Sequence, residues 1–297
     1  MLPTPGLLSF DYIKPESPQE VTKLLLKRNG DARLFMGGTD VFVRMRDGFL
    51  TPKLLIDVKR LSGMTAIEFN KRAGLTIGAG ADMNSLARHP AVVEHYPLLA
   101  EAINSVASYQ LRTRATMGGN LCNASPAADT APAALVLGAK LLLHGRRGER
   151  VVPIDEFFLA PGKSALKRGE FLARIQIPRM PKGAVGRYLK LGRNAHGDLA
   201  IVGVAVLGYP DQKAKSGFSF RIALASVAPT PIRAPKAEEI LASSPITAEM
   251  IQRAAIAAME TAKPISDVRS SAEYRKAMVE VLTKRAINEV WSEMRDT

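Results

Sequence analysis

The segment Thr113–Pro132, TRATMGGNLCNASPAADTAP, contains the sequence feature most indicative of the fold of this chain. It combines a Gly-Gly pair with small and polar side chains, and no lysine follows the glycines. A second stretch of the same kind, MGGTD, occupies positions 36–40. Glycine turns can present successive backbone N–H groups to an anion. Because each stretch also carries neutral hydroxyl or amide groups, we predict that the two turns hold a diphosphate from two sides.

Ordinary tight turns are the alternative for either stretch alone, because Gly-Gly pairs are common. Neither stretch is a Walker motif, since the lysine is absent. Neither is a Rossmann fingerprint, since the third glycine and the downstream ribose-binding acid are missing. The prediction of a diphosphate site therefore rests on the two motifs together, which lie about eighty residues apart.

The composition is that of a globular chain with a sizeable core: 297 residues, 46% of them hydrophobic. No apolar run is long enough to span a bilayer, and the N-terminal residues lack a basic signal-peptide region. The single cysteine, Cys122, excludes a disulfide framework and a cysteine-ligated iron–sulfur cluster within the chain. We therefore expect a cytoplasmic protein with no transmembrane segment.

The net charge of +13 predicts a negatively charged ligand or partner. A nucleic-acid-binding surface usually concentrates its basic residues and interleaves them with aromatic side chains. Here lysine and arginine are spread along the chain, and aromatic residues make up 6% of it. The pattern favours an acidic protein partner or ligand over nucleic acid.

The order of predicted elements indicates an α+β protein. A helix is expected from Ser17, the N-cap candidate, to about Gly30, with strands at ARLF and KLLIDVK on either side of the first glycine motif. Further strands and two helical stretches follow up to FLARIQIP, which ends at Pro178. After a linker, three strands and then two helices predict a small α+β domain with helices on one face of its sheet.

Taken together and in order, these segments resemble the FAD-binding (medium) subunit of molybdenum hydroxylases, the group of aerobic carbon monoxide dehydrogenase and xanthine dehydrogenase. The similarity covers nearly the whole chain, from FDYIKPESPQEVTKLL through MGGTD, LIDVKRL, RATMGGNLCNASPAADTAP and YLKLGRNAHGDLAIVGVAV to DVRSSAEYRKAMVEVLTKRA. Any one motif is weak evidence, whereas the ordered set is specific.

The resemblance implies a vanillyl-alcohol-oxidase-type (PCMH-type) FAD-binding fold of two α+β subdomains, followed by a C-terminal α+β domain with a three-stranded antiparallel sheet and helices. The implied FAD-binding domain is 1–178, with subdomains at about 1–60 and 61–178, and the C-terminal domain is 179–297. No histidine falls in either glycine motif, so we expect noncovalent FAD.

In the family the two glycine motifs hold the FAD diphosphate. The residues implied in the first motif are contiguous: Leu34, Phe35, Met36, Gly37, Gly38, Thr39, Asp40 and Val41. Those implied in the second motif are Thr116, Gly118, Gly119 and Asn120. Val106 and Ala107, just before that motif, are implied to lie near the flavin ring.

Three more residues are implied to bind FAD: Asp129, Leu172 and Lys190. Lys190 is expected to supply positive charge at the diphosphate or at the pyrimidine end of the reduced flavin, although a solvated lysine on a strand is the alternative. Cys122 is interpreted as a small buried filler. No histidine pair has metal-ligand spacing, so no metal site is expected on this chain.

The function implied is electron transfer within a heteromer. The molybdenum cofactor would be bound by a large partner subunit and the [2Fe-2S] clusters by a small one, in a dimer of heterotrimers. Electrons would pass through FAD on this chain to an external acceptor such as NAD or a quinone. The alternatives are a stand-alone FAD-dependent oxidoreductase of the same fold, for which no acid–base constellation is evident, and a basic nucleic-acid-binding protein supported by charge alone.

The loop GRNAHGDLA, Gly192–Ala200, contains two glycines and carries Arg193, His196 and Asp198. In xanthine dehydrogenases the corresponding loop passes close to the flavin ring. The resemblance therefore predicts that Arg193 and Asp198 tune flavin reoxidation, whereas a polar turn between two strands is the alternative interpretation.

Overall fold

The first sheet is parallel and has three strands in the order β1-β3-β2. The computed structural model describes residues 6–28, 30–194 and 197–296. The elements of this part of the chain are β1 (Asp11–Ile13), α1 (Pro18–Lys27), β2 (Ala32–Phe35), α2 (Val41–Arg46) and β3 (Leu54–Asp57). The central strand β3 is buried along its whole length, as expected of a parallel strand covered on both faces.

Helix α1 begins where the sequence predicts. The Ser17 hydroxyl accepts a hydrogen bond from the Glu20 N–H at 3.2 Å, and Pro18 occupies the first helical turn. The chain then enters β2, which runs directly into the MGGTD stretch. The first glycine motif therefore lies at the carboxyl end of a parallel strand, where α/β sheets commonly place ligands.

The second sheet is antiparallel and has five strands in the order β4-β5-β10-β6-β7. Its strands are β4 (Ile67–Asn70), β5 (Gly74–Gly78), β6 (Lys140–Gly145), β7 (Gly148–Pro153) and β10 (Phe171–Ile177). A two-stranded ribbon, β8 (Phe158–Ala160) and β9 (Lys163–Ser164), follows a short 3₁₀ turn at Ile154–Glu156. The pairing of β10 with β6 shifts register between Leu172 and Arg174, which marks a bulge.

Six helices connect β5 to β6 and bring the second glycine motif towards the first. They are α3 (Met83–Arg88), α4 (Pro90–His95), α5 (Pro97–Asn104), α6 (Tyr109–Arg112), α7 (Met117–Asn123) and α8 (Thr130–Val136). One apolar core joins the first two sheets with these helices. It extends to β12 (Val202–Pro210) and β13 (Phe218–Ala225) of the third sheet through Ala205, Leu207 and Ala223.

The third sheet is antiparallel and has four strands, β11-β12-β13-β14, rather than the three that the sequence predicts. Its elements are β11 (Val185–Leu191), β12 (Val202–Pro210), β13 (Phe218–Ala225), β14 (Ile232–Arg233), α9 (Pro235–Ser243), α10 (Ala248–Thr261) and α11 (Ala272–Asp296). The extra strand has two residues, too few to show alternation, and both it and the extra helix α9 lie in a proline-rich stretch. A second apolar core fills the space between this sheet and α9–α11.

Candidate functional site: a cavity between the two glycine motifs

A cavity of about 690 Å³ lies where the first sheet, the helices α7 and α8, and the start of β10 meet. Cofactor sites typically occupy roughly 300–1,000 Å³. Both glycine motifs line it, as do the Val106–Ala107 turn and the segment Gly197–Leu199 ahead of β12. Residues far apart in the sequence thus form one concave surface.

The first glycine motif is a true tight turn. Gly38 has a φ of 75°, a conformation that favours glycine. Gly37 is required for a different reason, because a Cβ there would lie 2.0 Å from the carbonyl oxygen of Arg114. Within the described part of the chain, the N–H groups of residues 37–40 donate to no other group. The motif therefore offers free donors to the cavity while packing against the segment that precedes α7.

Lys59 stabilises this turn through a hydrogen bond and a cation–π contact. Its Nζ donates to the Met36 carbonyl at 3.3 Å, pairs with Asp57 at 2.9 Å, and lies 4.1 Å from the centre of the Phe35 ring. Asp57 is buried and also accepts a hydrogen bond from the Tyr12 hydroxyl. Burial alone would raise the pKa of Asp57, but the hydrogen bonds from Tyr12 and Lys59 outweigh it and hold that pKa below its usual value.

The second glycine motif is the first turn of helix α7, rather than the glycine turn expected from the sequence. Thr116 is the N-cap, and its hydroxyl accepts from the Gly119 N–H at 2.9 Å. Gly118 and Gly119 both have ordinary negative φ values. A Cβ at Gly118 would lie 2.4 Å from the Ala79 carbonyl oxygen, so this glycine lets the helix lie against the end of β5.

Asn120 presents its amide group to the cavity. The hydroxyl of the fully buried Thr130 donates to Asn120 Oδ1 at 2.6 Å. This bond occupies the acceptor side of the amide and leaves the NH₂ group for a ligand. No local sequence pattern indicates this role for Thr130, because the two residues meet only when α7 and α8 pack together.

Asp129 is held by two residues of β11. The Tyr188 hydroxyl donates to Oδ1 and Lys190 Nζ to Oδ2, each at 2.8 Å. Lys190 Nζ also donates to the Ser105 carbonyl at 2.8 Å. Burial raises the pKa of Asp129, and the two donors counteract that rise. Burial beside Asp129 raises the pKa of Tyr188 well above its usual value, so Tyr188 stays a donor.

Fourteen of the seventeen residues predicted to bind the cofactor line this cavity: Leu34, Met36, Gly37, Gly38, Thr39, Asp40, Val41, Val106, Ala107, Thr116, Gly119, Asn120, Asp129 and Leu172. Three do not line it. Phe35 is buried beneath the first motif, Gly118 packs on β5, and Lys190 reaches the cavity wall only through Asp129 and Ser105.

Several lining residues were not predicted, among them Arg33, Arg44, Asn123 and Ser125. Asn123 and Ser125 follow Asn120 in the same polar stretch, so a longer motif would have included them. Asn123 Nδ2 donates to Asp40 Oδ1 at 3.3 Å and links α7 to the first motif. Cys122 also lines the cavity, and burial raises the pKa of its thiol to about 12, which keeps it neutral.

The loop before β12 contributes Asp198 to the cavity. Its Oδ2 accepts from the Asn194 N–H at 3.1 Å and lies 3.6 Å from Arg193 Nε. Ala195 and His196 of this loop lie outside the described residues. The role predicted for Arg193 and Asp198 in flavin reoxidation stays a prediction.

Within the described ranges, no group of three His, Cys, Asp or Glu side chains is arranged to hold a metal ion. No helix in the same ranges is long and apolar enough to cross a bilayer. The cavity lining includes two cations, Arg33 and Arg44, and it also presents neutral donors: the N–H groups of the first motif and the Asn120 amide. Such donors fit a diphosphate held without a lysine.

The α+β fold and its donor-lined cavity define a nucleotide-cofactor-binding protein. Residues 8–180 match the model of the FAD binding domain in molybdopterin dehydrogenase, and residues 187–290 match the CO dehydrogenase flavoprotein C-terminal domain. The chain belongs to the family of FAD-binding flavoprotein subunits of molybdopterin dehydrogenases. It is therefore an oxidoreductase flavoprotein with FAD as its cofactor.

Individual relatives agree with this assignment. The carbon monoxide dehydrogenase medium chain of Hydrogenophaga pseudoflava is 35% identical over 286 residues, which is 95% of this chain and 97% of that one. The xanthine dehydrogenase FAD-binding subunit of Escherichia coli O157:H7 is 32% identical over 267 residues, 89% of this chain and 90% of that one.

Solved structures show the same fold. Carbon monoxide dehydrogenase from Hydrogenophaga pseudoflava aligns with a TM-score of 0.92 at 35% identity, over 97% of this chain and 99% of that chain. Quinoline 2-oxidoreductase from Pseudomonas putida 86 aligns with a TM-score of 0.89 at 26% identity, over the same shares. The predicted PCMH-type α+β fold and the predicted family are thus confirmed.

Proposed function

We propose that this chain is the electron-transfer subunit of a multi-subunit molybdenum hydroxylase, and that it conveys electrons from [2Fe-2S] clusters on a partner subunit, through FAD, to an external acceptor. One observation carries the assignment of the site. Fourteen residues selected from two distant motifs and their surroundings line a single cavity of about 690 Å³. A stand-alone flavin oxidase would also need a positioned acid or base for its own substrate.

In this proposal the first motif and the start of α7 hold the diphosphate of FAD. Gly37 and Gly38 let the main chain approach the ligand, and the free N–H groups of residues 37–40 donate to its oxygens. The Asn120 amide, oriented by Thr130, adds a further donor. Val41, Leu34 and Leu172 provide apolar surface.

The other predicted residues support the site. Phe35 and Lys59 pack together beneath the first motif. Gly118 allows α7 to lie close to the end of β5. Lys190 donates hydrogen bonds to Asp129 and to the Ser105 carbonyl. When bound, FAD supplies the redox chemistry that couples one-electron carriers to the acceptor. The residues of this chain bind the cofactor, orient it and limit its contact with water.

We further propose the division into an FAD-binding domain, 1–178, with subdomains at about 1–60 and 61–178, and a C-terminal domain, 179–297. The proposed partners are a large molybdenum-cofactor subunit and a small [2Fe-2S] subunit in a dimer of heterotrimers. The proposed acceptor is NAD, a quinone or another external oxidant, and the proposed location is the cytoplasm. The net charge of +13 supports acidic partner surfaces.

The test is purification of the native complex through a tag on this chain. We expect a large subunit with molybdenum, a small subunit with iron, and one FAD for each copy of this chain. Removal of FAD should abolish electron delivery to the acceptor while the iron–sulfur absorbance still bleaches with a reductant. Recovery of this chain alone with FAD, turning over an organic substrate, would instead favour a stand-alone oxidoreductase.

A further inference from the structure

One arginine holds the cavity wall that precedes the second glycine motif. Arg112, at the end of α6, donates from Nη1 to the carbonyl oxygens of Val106 at 2.7 Å, Asn104 at 3.0 Å and Ala107 at 3.4 Å. Its Nε donates to Asn84 Oδ1 at 3.2 Å. Asn84 is itself buried, and its Nδ2 donates to the Tyr109 carbonyl at 2.8 Å, which fixes the amide against α6.

The fourth carbonyl of the same turn is held by a second cation. Lys190 Nζ donates to the Ser105 oxygen at 2.8 Å. Every carbonyl from Asn104 to Ala107 is therefore directed at a cationic donor. By contrast, the Ala107 N–H donates to no group in the described part of the chain. This turn offers the cavity a free donor and keeps its acceptors engaged elsewhere.

The turn that Arg112 and Lys190 bind also contains a strained backbone conformation. Ala107 has a φ of 43°, in the left-handed region that an alanine rarely adopts. Strained residues persist where surrounding contacts over-determine them, and they cluster at binding sites. Val106 and Ala107 both line the cavity, so the strained segment is part of its surface.

We propose that Arg112 is a positioning residue of the cofactor site: its planar guanidinium clamps the Asn104–Ala107 turn, holds Ala107 in the left-handed conformation, and thereby presents a donor-only wall to the bound FAD. The inference rests on the proposed assignment of this cavity to FAD. Arg112 makes no ion pair with a carboxylate in the described residues, so its bonding capacity is directed to this turn and to Asn84.

Only a planar guanidinium has the several donors needed to bind the Asn104–Ala107 turn and Asn84 together. A lysine keeps the charge but lacks the fork that reaches the turn and Asn84 at the same time. A glutamine keeps neither the charge nor the span. If geometry is decisive, Arg112→Lys and Arg112→Gln weaken FAD binding alike, by about tenfold, the scale expected for losing charge-assisted hydrogen bonds.

The test is an FAD titration of the full chain, followed by flavin fluorescence, with thermal unfolding as a folding control. In the Arg112→Lys background, Ala107→Gly should recover most of the lost affinity, because glycine adopts positive φ without a clamp. The matched control is Ala124→Gly in the same background. Ala124 is also an alanine with positive φ, 48°, but it is buried at the C-cap of α7, whereas Ala107 is partly exposed in the cavity wall.

A second control is Arg221→Gln, since Arg221 also donates to a main-chain carbonyl, that of Val136, away from the cavity. It should leave the FAD dissociation constant unchanged. Wild-type affinity in a folded Arg112→Lys variant, or equal rescue by Ala107→Gly and Ala124→Gly, would overturn the proposal. Failure of the wild-type chain to bind FAD would count against the assigned site itself, which separates the two outcomes.

Discussion

At the scale of single residues, the site depends on side chains that orient other side chains. Thr130 orients the Asn120 amide, Lys59 holds the Met36 carbonyl, and Tyr188 with Lys190 fixes Asp129. Each bond joins residues that lie ten or more positions apart in the chain. A sequence pattern can nominate Asn120 and Asp129 as ligands, but it does not contain the packing that selects their partners.

Thr130→Val tests this kind of support. The substitution keeps the volume and removes the hydroxyl, so the Asn120 amide loses the bond that sets its orientation. We expect the FAD dissociation constant to rise by about five- to tenfold, and Thr130→Ser to restore it. Thr283→Val is the matched control, because Thr283 is equally buried but its hydroxyl has no hydrogen-bond partner among the residues that the structure describes. An equal effect of both valine variants on FAD affinity would refute the role of Thr130.

At the scale of elements, one buried arginine links α11 to the residues just before β12 and just after β13. Arg275 is 1% exposed, and it donates to the carbonyls of Ile201 and Ser226 and to Asp267 at 2.7 Å. Arg269 also pairs with Asp267. Ile201 lies two residues after Leu199, which lines the cofactor cavity. The ion pairs of Arg275 and Arg269 with Asp267 therefore link the second apolar core to the cavity wall.

Asp267 should make stability depend on pH. Hydrogen bonds from Arg269, aided by the charge of Arg275, hold the pKa of Asp267 well below its usual value. A carboxyl whose pKa is lowered on folding contributes stability above its unfolded pKa, near about 3.9, and loses that contribution as the pH falls towards its folded pKa.

Asp267→Asn should therefore lower the melting temperature at pH 7, by about 2–4 °C, because Arg275 keeps its buried charge and loses its counter-ion. Below about pH 4, the difference from the wild type should begin to shrink, because the unfolded wild-type chain then takes up a proton at this carboxyl while the folded chain, with its lowered pKa, does not. Thermal unfolding measured from pH 7 to pH 3 checks this. A difference that stays constant across that range would contradict the assigned ionisation.

The helices and strands also show which parts of the fold local sequence patterns predict. Capping residues and alternation predicted α1, β2, β3 and the three main strands of the third sheet, because each of those signals is local. The glycine pair at 118–119 was expected in a glycine turn and instead begins a helix, since two glycines are compatible with either structure. Thr116 as N-cap and the close approach to Ala79 decide between them, and the second of these is a tertiary contact.

At the scale of the whole molecule, the site is assembled from all three sheets. The first sheet brings the MGGTD turn, the helices beside the second sheet bring α7 and Asp129, and β11 of the third sheet brings Tyr188 and Lys190. Most of the residues predicted to bind the cofactor line the cavity, but they make up less than half of its lining, and the hydrogen-bond network behind them was not predicted. Cofactor binding is therefore expected to stabilise the whole chain rather than one part of it.

The net charge of +13 bears on assembly with the proposed partners. Association steered by opposite charges slows as salt screens them, and the Debye length falls from about 10 Å at 0.1 M to about 3 Å at 1 M ionic strength. Mixing this FAD-loaded chain with the isolated partner subunits should give an assembly rate that falls by at least tenfold over that range. A rate independent of salt would show that charge does not guide the complex.

A crystal structure of the chain with FAD at stoichiometric concentration tests the assignment of this cavity. We expect one noncovalent FAD in the cavity, with its diphosphate against residues 37–40 and the start of α7, and with the Asn120 amide donating to it. Full FAD occupancy at another place on the chain, with this cavity empty, would contradict it.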